Sequence, residues 1–281
     1  MAKLIIHGGF FSESGTNNDI KKAKQNALSQ IVIESYQYLK NHTAVQTVVF
    51  AVSLLEDNEL FNAGFGSQIQ SDGKIRLSAS IMDGKTKKFA GVINIQDVKN
   101  PVQIAEKLLA AQDSVLSGEG ALAFARKNGF VNFNPETKER RQGYQDKLEQ
   151  LSRKGTVGCV ALDASGYLAA ATSTGGKGFE MPCRVSDSAT VAGNYATQDA
   201  AISCTGVGED IVSAALAAKI VTRVADGFSL KDASDKSFME LETYDGFAGI
   251  IGITAQGEIH HCDSHPYMVW ASFDSKLEVF D

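Results

Sequence analysis

Residues 155–176 read GTVGCVALDASGYLAAATSTGG, and this segment decides the fold of the chain. The apolar run 156–163, the turn at Ser165-Gly166 and the returning run 168–172 predict a β-hairpin. Thr156 begins the first strand, and a second hydroxyl follows eighteen residues later at Thr174. We therefore expect the two threonine hydroxyls at the same end of one sheet.

Apolar patterns on both sides of this hairpin predict an α+β chain. A short buried strand precedes His7, and a long helix runs to about Lys40. Thr43 and Gln46 have the form of a capping box, which predicts a helix ending near Asp57. Other predicted helices are 101 onward, 118–127 and 208–226, and other predicted strands are 250–254, 258–262 and 268–273. Helices in the middle of each half, with strands around them, indicate two sheets packed between helices.

The clearest break in the pattern is the segment 132–155. Ten of the twenty residues from Pro135 to Lys154 are charged, which predicts an exposed, mobile linker. The near-helical spacing of Tyr144, Leu148 and Leu151 leaves a solvated helix as the alternative.

Composition narrows the class of protein. The 281 residues are 43% hydrophobic and 21% charged, as in globular proteins with a sizeable core. A net charge of −6 disfavours nucleic acids and membrane surfaces as partners. No stretch approaches the ~18 apolar residues of a membrane helix, and the first apolar run is too short for a signal peptide. Four scattered cysteines suggest free thiols without a zinc site, which predicts a cytoplasmic protein.

Thr156 stands out because a glycine and the end of a charged segment precede it. A threonine hydroxyl is a weak nucleophile that needs a nearby base. Breaking the Gly155–Thr156 bond would give Thr156 a free α-amine with a pKa of about 7.7–8.0, so one residue would supply both nucleophile and base. Gly155 favours this step because glycine tolerates strained backbone conformations.

Several ordered motifs resemble the plant-type asparaginase/isoaspartyl peptidase family of N-terminal-nucleophile (Ntn) hydrolases. The resemblance covers the whole chain and is weakest in the linker. It is carried by HGG at 7–9, LLE at 54–56, LFNAG at 60–64, SIMDG at 80–84, GTVGCVALD at 155–163, LAAATSTGG at 168–176, RVSD at 184–187 and SCTGVGE at 203–209.

This resemblance implies a four-layer αββα sandwich formed by a single domain, 1–281. It implies self-cleavage into an α subunit, 1–155, and a β subunit, 156–281, and assembly into a dimer of these heterodimers. The implied substrates are L-asparagine and β-aspartyl dipeptides, which are hydrolysed to L-aspartate without a cofactor.

The resemblance also implies roles for individual residues. Thr156 would be the nucleophile and Thr174 would orient its hydroxyl. Thr205 and Gly206 would form the oxyanion hole, whose donors stabilise the charge of the tetrahedral intermediate. Arg184 would hold the substrate carboxylate through two parallel hydrogen bonds. The substrate ammonium would face the Asp187 side chain and the Gly208 carbonyl.

Residues of the first half would support this site. Asn62 would stabilise the region of the nucleophile, together with Gly8 and Gly9 of the first strand. A structural sodium is implied in the loop 55–65. Its ligands would be the backbone carbonyls of Leu55, Glu56, Asn58, Phe61, Ala63 and Phe65.

The chain departs from the family pattern at several positions. Cys183 and Ser186 stand where the family has glycines, next to the implied carboxylate clamp. Phe10 and Phe11 follow His-Gly-Gly in place of small residues, and Ser78 replaces an aspartate. None of these changes affects the three threonines, so we expect activity to survive.

Other readings remain open. The chain could be a relative specific for glycosylated asparagine, which the absent signal peptide and disulfide framework disfavour, or a threonine aspartase, which usually carries a longer insertion. It could also be a non-cleaving, non-catalytic homologue that acts as a binding protein, against which the complete threonine set argues. A serine hydrolase is disfavoured because no Gly-x-Ser-x-Gly elbow is present. His261, His265 and Asp263 are read as strand and turn residues rather than a metal site.

Overall fold

The computed structural model describes residues 2–10, 18–147, 155–244, 246–265 and 268–281. The chain forms two sheets that pack face to face, with helices on both outer surfaces. This confirms the predicted α+β class and the αββα order of layers. The helices are α1 Asn18–Leu39, α2 Ala44–Glu56, α3 Pro101–Leu108, α4 Gly118–Lys127, α5 Lys138–Lys147, α6 Gly208–Ala214, α7 Leu216–Ala225 and α8 Leu230–Leu241.

The larger sheet has eight strands in the order β12-β11-β1-β5-β6-β2-β3-β4. The smaller sheet has four strands in the order β10-β9-β8-β7. Neighbouring strands are antiparallel except β3 and β4. The strands are β1 Lys3–Phe10, β2 Leu77–Asp83, β3 Lys88–Ile95, β4 Val115–Ser117, β5 Val157–Leu162, β6 Leu168–Thr174, β7 Asn194–Ala196, β8 Ala200–Gly206, β9 Ala248–Thr254, β10 Ile259–Asp263, β11 Met268–Phe273 and β12 Leu277–Val279.

Three groups of buried apolar side chains fill the spaces between the layers. The first lies between the larger sheet and helices α1 to α3, and the second lies between the smaller sheet and α6 to α8. The third lies between the two sheets and includes Ile5, Val160, Ala170 and Ala201. Each central strand therefore buries both faces, which explains why its sequence reads as continuous apolar residues rather than as an alternating pattern.

Most predicted elements are present with nearly the predicted ends. The capping box of α2 is formed, because the Thr43 hydroxyl accepts a hydrogen bond from the Gln46 N–H while the Gln46 side chain accepts one from the Thr43 N–H. Pro101 occupies the first turn of α3, where its missing N–H removes no helical hydrogen bond. The hairpin of β5 and β6 has the predicted turn at Gly166.

The prediction of one helix over 208–226 is wrong, because the chain forms α6 and α7 with a break at Ala215. Ala215 has a left-handed backbone with φ of 50°, although neither glycine nor proline marks this position. After the break, the Ala217 N–H donates to the Ala192 carbonyl, so tertiary contacts rather than local sequence support the break. Helix α8, which the sequence patterns did not predict, follows with Ser229 as its cap.

The predicted mobile linker 132–155 is not uniform. Residues 138–147 form helix α5, which is the alternative that the sequence left open. The Tyr144 ring stacks on Phe179 with 4.8 Å between ring centroids, and the Arg140 Nε donates to the Gly66 carbonyl. Leu148 and Leu151, which belong to the predicted helical pattern, lie outside the described residues. Within the described part of the chain, none of the helices combines the length and apolar character needed to cross a bilayer.

Candidate active site

The β5–β6 hairpin brings Thr156 and Thr174 together, as predicted. Val157 pairs with Ser173 and Gly158 with Thr172, so one further step in this register sets Thr156 opposite Thr174. Successive side chains of a strand point to opposite faces. Thr156 and Thr174 consequently share the face that meets the smaller sheet, where Ala170 and Val160 of the same strands also lie.

The Thr156 hydroxyl is buried among other hydroxyls. It donates to Thr174 Oγ1 at 3.3 Å and lies 3.4 Å from Ser188 Oγ. Thr174 Oγ1 also accepts from the Gly176 N–H at 3.2 Å. The hydroxyls of Thr174 and Ser188 therefore orient the Thr156 hydroxyl, but neither is a base that would take its proton.

Asn62 holds the peptide bond that would be cleaved. Its Nδ2 donates to the carbonyl oxygen of Gly155 at 2.6 Å and also to the carbonyl of Gly176. The Asn62 Oδ1 accepts from the Gln68 N–H at 2.9 Å, which fixes the orientation of the amide. The Thr174 hydroxyl donates to the same Gly155 oxygen at 3.4 Å. Two donors therefore face the carbonyl that precedes Thr156.

Gly8 and Gly9 lie where larger residues would collide with the site. A Cβ on Gly9 would lie 2.9 Å from the Gly155 Cα and from the Thr156 N and O atoms, and the φ of Gly9 is +84°. A Cβ on Gly8 would lie 2.4 Å from the Phe61 ring. These close approaches explain why β1 carries two glycines beside the bond that would be cleaved.

Thr205 and Gly206 end β8 on the opposite sheet. Thr205 is 1% exposed, and its Oγ1 has no hydrogen-bond partner among the described residues. Gly206 has a φ of +140°, and a Cβ there would lie 2.2 Å from the Phe247 carbonyl. We call Thr156, Thr174 and Thr205 the outer layer of the site.

A second polar group lies one step deeper between the sheets. His7 Nε2 lies 3.0 Å from Ser203 Oγ, which in turn lies 2.7 Å from Thr172 Oγ1. Burial lowers the pKa of His7 to about 3, so its ring is neutral near pH 7. A Cβ on Gly158 would lie 2.0 Å from Ser203 Oγ, so this group requires glycine there. We call His7, Thr172 and Ser203 the inner layer.

The predicted clamp residues flank Gly208 at the other side of the site. A Cβ on Gly208 would lie 2.7 Å from Asp187 Oδ1 and 2.9 Å from Arg184 Nη2. Asp187 is 2% exposed, and burial raises its pKa to about 7 despite the opposing charge of Arg184. Its Oδ2 is buried on the side of Gly193 and has no hydrogen-bond partner among the described residues, whereas Oδ1 lies on the side of Gly208.

Arg184 has a partner that the sequence did not predict. Its Nε and Nη2 donate to the two carboxylate oxygens of Glu209, each at 2.7 Å. Lys177 Nζ also contacts Glu209 Oε1 at 3.2 Å. The Arg184 hydrogen bonds lower the pKa of Glu209 to about 2, so Glu209 is ionised near pH 7.

Ser188 is a second residue that the sequence did not single out. Its hydroxyl faces Thr156, and its carbonyl accepts from Ser80 Oγ at 2.7 Å. Asn194 Nδ2 donates to the same Ser80 oxygen at 2.9 Å, so side chains of β2 and β7 hold the backbone of Ser188. The only sequence signal was its place directly after Asp187.

Part of this site lines one open pocket at the end of the sandwich. Its lining residues are Gly155, Thr156, Thr174, Gly176, Lys177, Arg184, Ser186, Asp187, Gly206, Val207, Gly208 and Glu209.

Comparisons with known proteins point to one family. A family model described as asparaginase matches residues 1–278. The chain belongs to this family. It is 45% identical over 277 residues to an isoaspartyl peptidase/L-asparaginase of a Nostoc species, covering 92% of this chain and 87% of the relative. A Synechocystis protein of the same name is 45% identical over 92% of this chain and 83% of its own. A plant-type L-asparaginase of Pyrococcus horikoshii is 34% identical over 99% and 98%.

The loop 55–65, where the family resemblance implies a sodium ion, is held by its own backbone hydrogen bonds. The carbonyls of Leu55, Glu56 and Asn58 accept backbone N–H groups of Asn58, Phe65 and Phe61, and each carbonyl retains a second lone pair. The Glu56 carboxyl is fully buried, and burial raises its pKa to about 8. Its Oε2 has no hydrogen-bond partner among the described residues. A nearby cation would stabilise the ionised form, so the loop fits the predicted ion.

The departures from the family pattern are accommodated within the fold. Cys183 has a left-handed backbone with φ of 65°, which explains why a glycine suits this position. Phe10 packs edge-on against Phe247 with 4.7 Å between centroids. The Ser78 hydroxyl accepts from the Asn94 N–H at 3.0 Å. The Ser186 Cβ lies 3.0 Å from the Cβ position built on Gly208, and Phe11 lies outside the described residues.

Histidines outside the site have structural surroundings. His261 stacks on Trp270 with 3.8 Å between centroids, and His265 lies 5.0 Å from the Phe247 ring by the same measure. No group of three or more His, Cys, Asp or Glu side chains that could hold a metal ion occurs among the described residues.

Proposed function

We propose that this protein is a self-cleaving N-terminal-threonine amidohydrolase that hydrolyses β-aspartyl dipeptides and L-asparagine to L-aspartate. The observation that carries the proposal is the surroundings of Thr156. A hydroxyl directed by Thr174 follows a peptide carbonyl that already accepts two hydrogen bonds. The names of the relatives, isoaspartyl peptidase/L-asparaginase and plant-type L-asparaginase, support the same reaction class.

Maturation begins with attack of Thr156 Oγ1 on the carbonyl carbon of Gly155. The developing negative charge falls on the Gly155 oxygen, where Asn62 Nδ2 and the Thr174 hydroxyl donate hydrogen bonds. The C–N bond then breaks, the Thr156 nitrogen takes up the proton that the Thr156 hydroxyl has lost, and an ester links Gly155 to the Thr156 side chain. Water hydrolyses this ester, which releases the carboxylate of Gly155 and a Thr156 with both a free amine and a free hydroxyl.

The mature site uses that amine as its base. His7 does not serve this role, because its lowered pKa makes it a weak base and its Nε2 lies against Ser203 Oγ. The Thr156 amine takes the proton of the Thr156 hydroxyl as its oxygen attacks the substrate amide carbon. The Thr205 hydroxyl and the Gly206 N–H stabilise the oxyanion. Ammonia or an amino acid leaves with the proton, and water hydrolyses the aspartyl ester to L-aspartate.

Recognition of the free α-amino and α-carboxyl groups explains why both substrates are accepted. L-Asparagine and β-aspartyl dipeptides share a free α-amino and a free α-carboxyl group beside the amide that is cut. The carboxylate suits the Arg184 guanidinium, while the ammonium suits the Asp187 carboxylate, whose Oδ1 lies beside Gly208, and the Gly208 carbonyl. A sodium ion bound by the carbonyls of loop 55–65 would stabilise the segment that carries Asn62.

Assembly and location remain predictions within the same proposal. We expect a dimer of αβ heterodimers, as the family resemblance implies. A reducing compartment such as the cytoplasm suits the four cysteines, all of which are free thiols.

The proposal is tested by the masses of the purified chains and by their hydrolytic activity. Purified protein should resolve into pieces of 155 and 126 residues and should release aspartate from L-asparagine and β-Asp-Leu. Thr156→Ala should remain one chain of 281 residues and should lose at least about 10³-fold in rate. Matured wild type that hydrolyses neither compound, or Thr156→Ala that still cleaves, would refute the proposal. A protein that stays intact and only binds small molecules would support the binding-protein alternative.

A further inference from the structure

Glu209 holds Arg184 by one of its two binding edges. A guanidinium presents two such edges, one formed by Nε with Nη2 and the other by Nη1 with Nη2. The Glu209 carboxylate occupies the first edge with two hydrogen bonds of 2.7 Å. The second edge remains for another carboxylate. The Arg184 side chain is only 14% exposed, so it is held within the wall of the pocket rather than free in solvent.

Glu209 lies in the first turn of helix α6, directly after Gly208. The same helix start therefore supplies the group that holds Arg184 and the Gly208 backbone that lies against Arg184 and Asp187. The position of the guanidinium relative to Asp187 is consequently fixed by one short segment of chain. A long, flexible side chain fixed in this way loses less conformational entropy when it binds a ligand.

We propose that Glu209 is a positioning residue for the substrate carboxylate, and this inference rests on the proposed function of the pocket. Glu209 binds the Nε–Nη2 edge of Arg184 and thereby presents the Nη1–Nη2 edge to the α-carboxylate of the substrate. It does not contact the reacting amide. Its removal raises KM and leaves the chemical step largely intact.

Lys177 reduces the repulsion between the Glu209 carboxylate and the substrate carboxylate. A lone Glu209 charge would repel the carboxylate that Arg184 attracts, but Lys177 Nζ lies 3.2 Å from Glu209 Oε1 and offsets that charge. Two cations, Arg184 and Lys177, thus face two carboxylates, Glu209 and ionised Asp187. This balance suits the zwitterionic α-amino acid group that both proposed substrates carry.

Glu240 provides a matched control. Its carboxylate also bridges a lysine and an arginine, Lys219 and Arg223, between helices α7 and α8. Its side chain is 42% exposed, compared with 50% for Glu209. Each variant therefore removes the charge of one partly exposed carboxylate that bridges a lysine and an arginine. Of the two glutamates, only Glu209 lines the pocket.

The experiment compares Glu209→Gln with Glu240→Gln. We expect Glu209→Gln to raise KM for L-asparagine by roughly tenfold with kcat within about threefold, and to leave cleavage before Thr156 unchanged. Glu240→Gln should leave KM unchanged. With L-asparaginamide, which lacks the α-carboxylate, wild type and Glu209→Gln should have equal KM values. An unchanged KM for L-asparagine, or an equal increase for both compounds, would overturn the inference.

Binding of L-aspartate, measured by calorimetry, separates this inference from the proposed function because it requires no turnover. Glu209→Gln should weaken L-aspartate binding by roughly tenfold even if wild-type protein proved inactive. Equal binding by both proteins would overturn the inference. If Glu209→Gln does not fold, Glu209→Asp replaces it. The shorter side chain keeps the charge but cannot span both nitrogens, so a smaller loss of binding is expected and no loss would again overturn the inference.

Discussion

The outer layer and the inner layer both include side chains of β6 and β8 but differ in how their polar atoms are satisfied. In the inner layer, Ser203 Oγ lies within hydrogen-bond distance of both His7 Nε2 and Thr172 Oγ1, so each of the three side chains has a partner. In the outer layer, Thr205 Oγ1 has no partner, and the nearby Asp187 Oδ2 has none either. Both layers are buried, so exposure to solvent does not explain the difference.

The comparison teaches which buried polar groups serve the fold and which serve a ligand. Folded proteins satisfy nearly all buried polar atoms, so an unsatisfied one requires an explanation. The inner layer joins the two sheets and is complete without a ligand. The outer layer leaves the Thr205 hydroxyl without a partner, and in the proposed function that hydroxyl donates to the oxyanion of the substrate.

The largest effect should follow from Thr205→Val. We expect roughly 10²–10³-fold lower kcat for L-asparagine, because the variant removes an oxyanion donor. The free energy of unfolding should change little, since the lost hydroxyl makes no hydrogen bond in the folded protein. Steady-state kinetics and denaturant unfolding measure the two quantities. If Thr205→Val keeps full activity, or if it loses as much stability as Ser203→Ala, the distinction between the two layers is wrong.

Asp187→Asn should weaken L-aspartate binding by roughly 10- to 100-fold, because a charged hydrogen bond to the ammonium is lost. In the wild-type protein, binding should weaken as pH falls below about 7, where Asp187 becomes protonated. Calorimetric titrations between pH 5.5 and about 8.5 measure both effects. Persistence of the acid-side weakening in Asp187→Asn would assign it to another group.

The same carboxyl affects stability in a defined direction. Burial raises its folded-state pKa from 3.8 to about 7, so folding favours the protonated form. The stabilising contribution is complete below the unfolded pKa and disappears as pH rises through about 7. Asp187→Asn should therefore lose less stability than wild type between pH 5 and about 8. Equal losses in both proteins would contradict the assignment.

Ser203→Ala should affect stability rather than catalysis. Removal of its hydroxyl takes a partner from both His7 and Thr172, which should cost about 1–3 kcal/mol of unfolding free energy. Hydrolysis by the folded fraction should change by less than about threefold, because Ser203 Oγ contacts His7 and Thr172 and has no part in the proposed reaction. Denaturant unfolding and rate measurements on the same preparation test this pair of outcomes. A catalytic loss as large as that of Thr205→Val would mean that the layers act as one unit.

The smallest effect should follow from Ser188→Ala. Its hydroxyl lies 3.4 Å from Thr156 Oγ1, a long contact beside the shorter one from Thr174. We expect a loss of only about three- to tenfold in kcat and in the rate of cleavage before Thr156. Time courses of chain cleavage measure the second rate. Complete loss of cleavage would raise Ser188 to the same importance as Thr174.

Sequence reasoning predicted the core of the fold because the hairpin 156–174 combines apolar strands with a short turn. The αββα class and the asparaginase family are both confirmed. The break at Ala215 was missed because the preceding and following residues are good helix formers, and only a contact with Ala192 supports the break. Helix α5 lies in a charged segment whose anchors, Gly66 and Phe179, are distant in sequence.

The proposed site residues were also named from sequence, and the structure brings Thr156, Thr174, Arg184 and Asp187 around one pocket, with Thr205 buried directly before the lining residue Gly206. Their catalytic roles remain predictions. Ser188 and Glu209 were missed because their importance depends on contacts across the sequence, which a strand or helix pattern does not encode.

The sequence by itself determined the hairpin, its register and the threonine that follows a glycine, because these depend on local alternation and turn chemistry. Only the tertiary structure decided which hydroxyls are satisfied. Ser203 and Thr205 are two residues apart on one strand and face the same way, yet only the packing of the opposite sheet gives Ser203 its partners and leaves Thr205 without one.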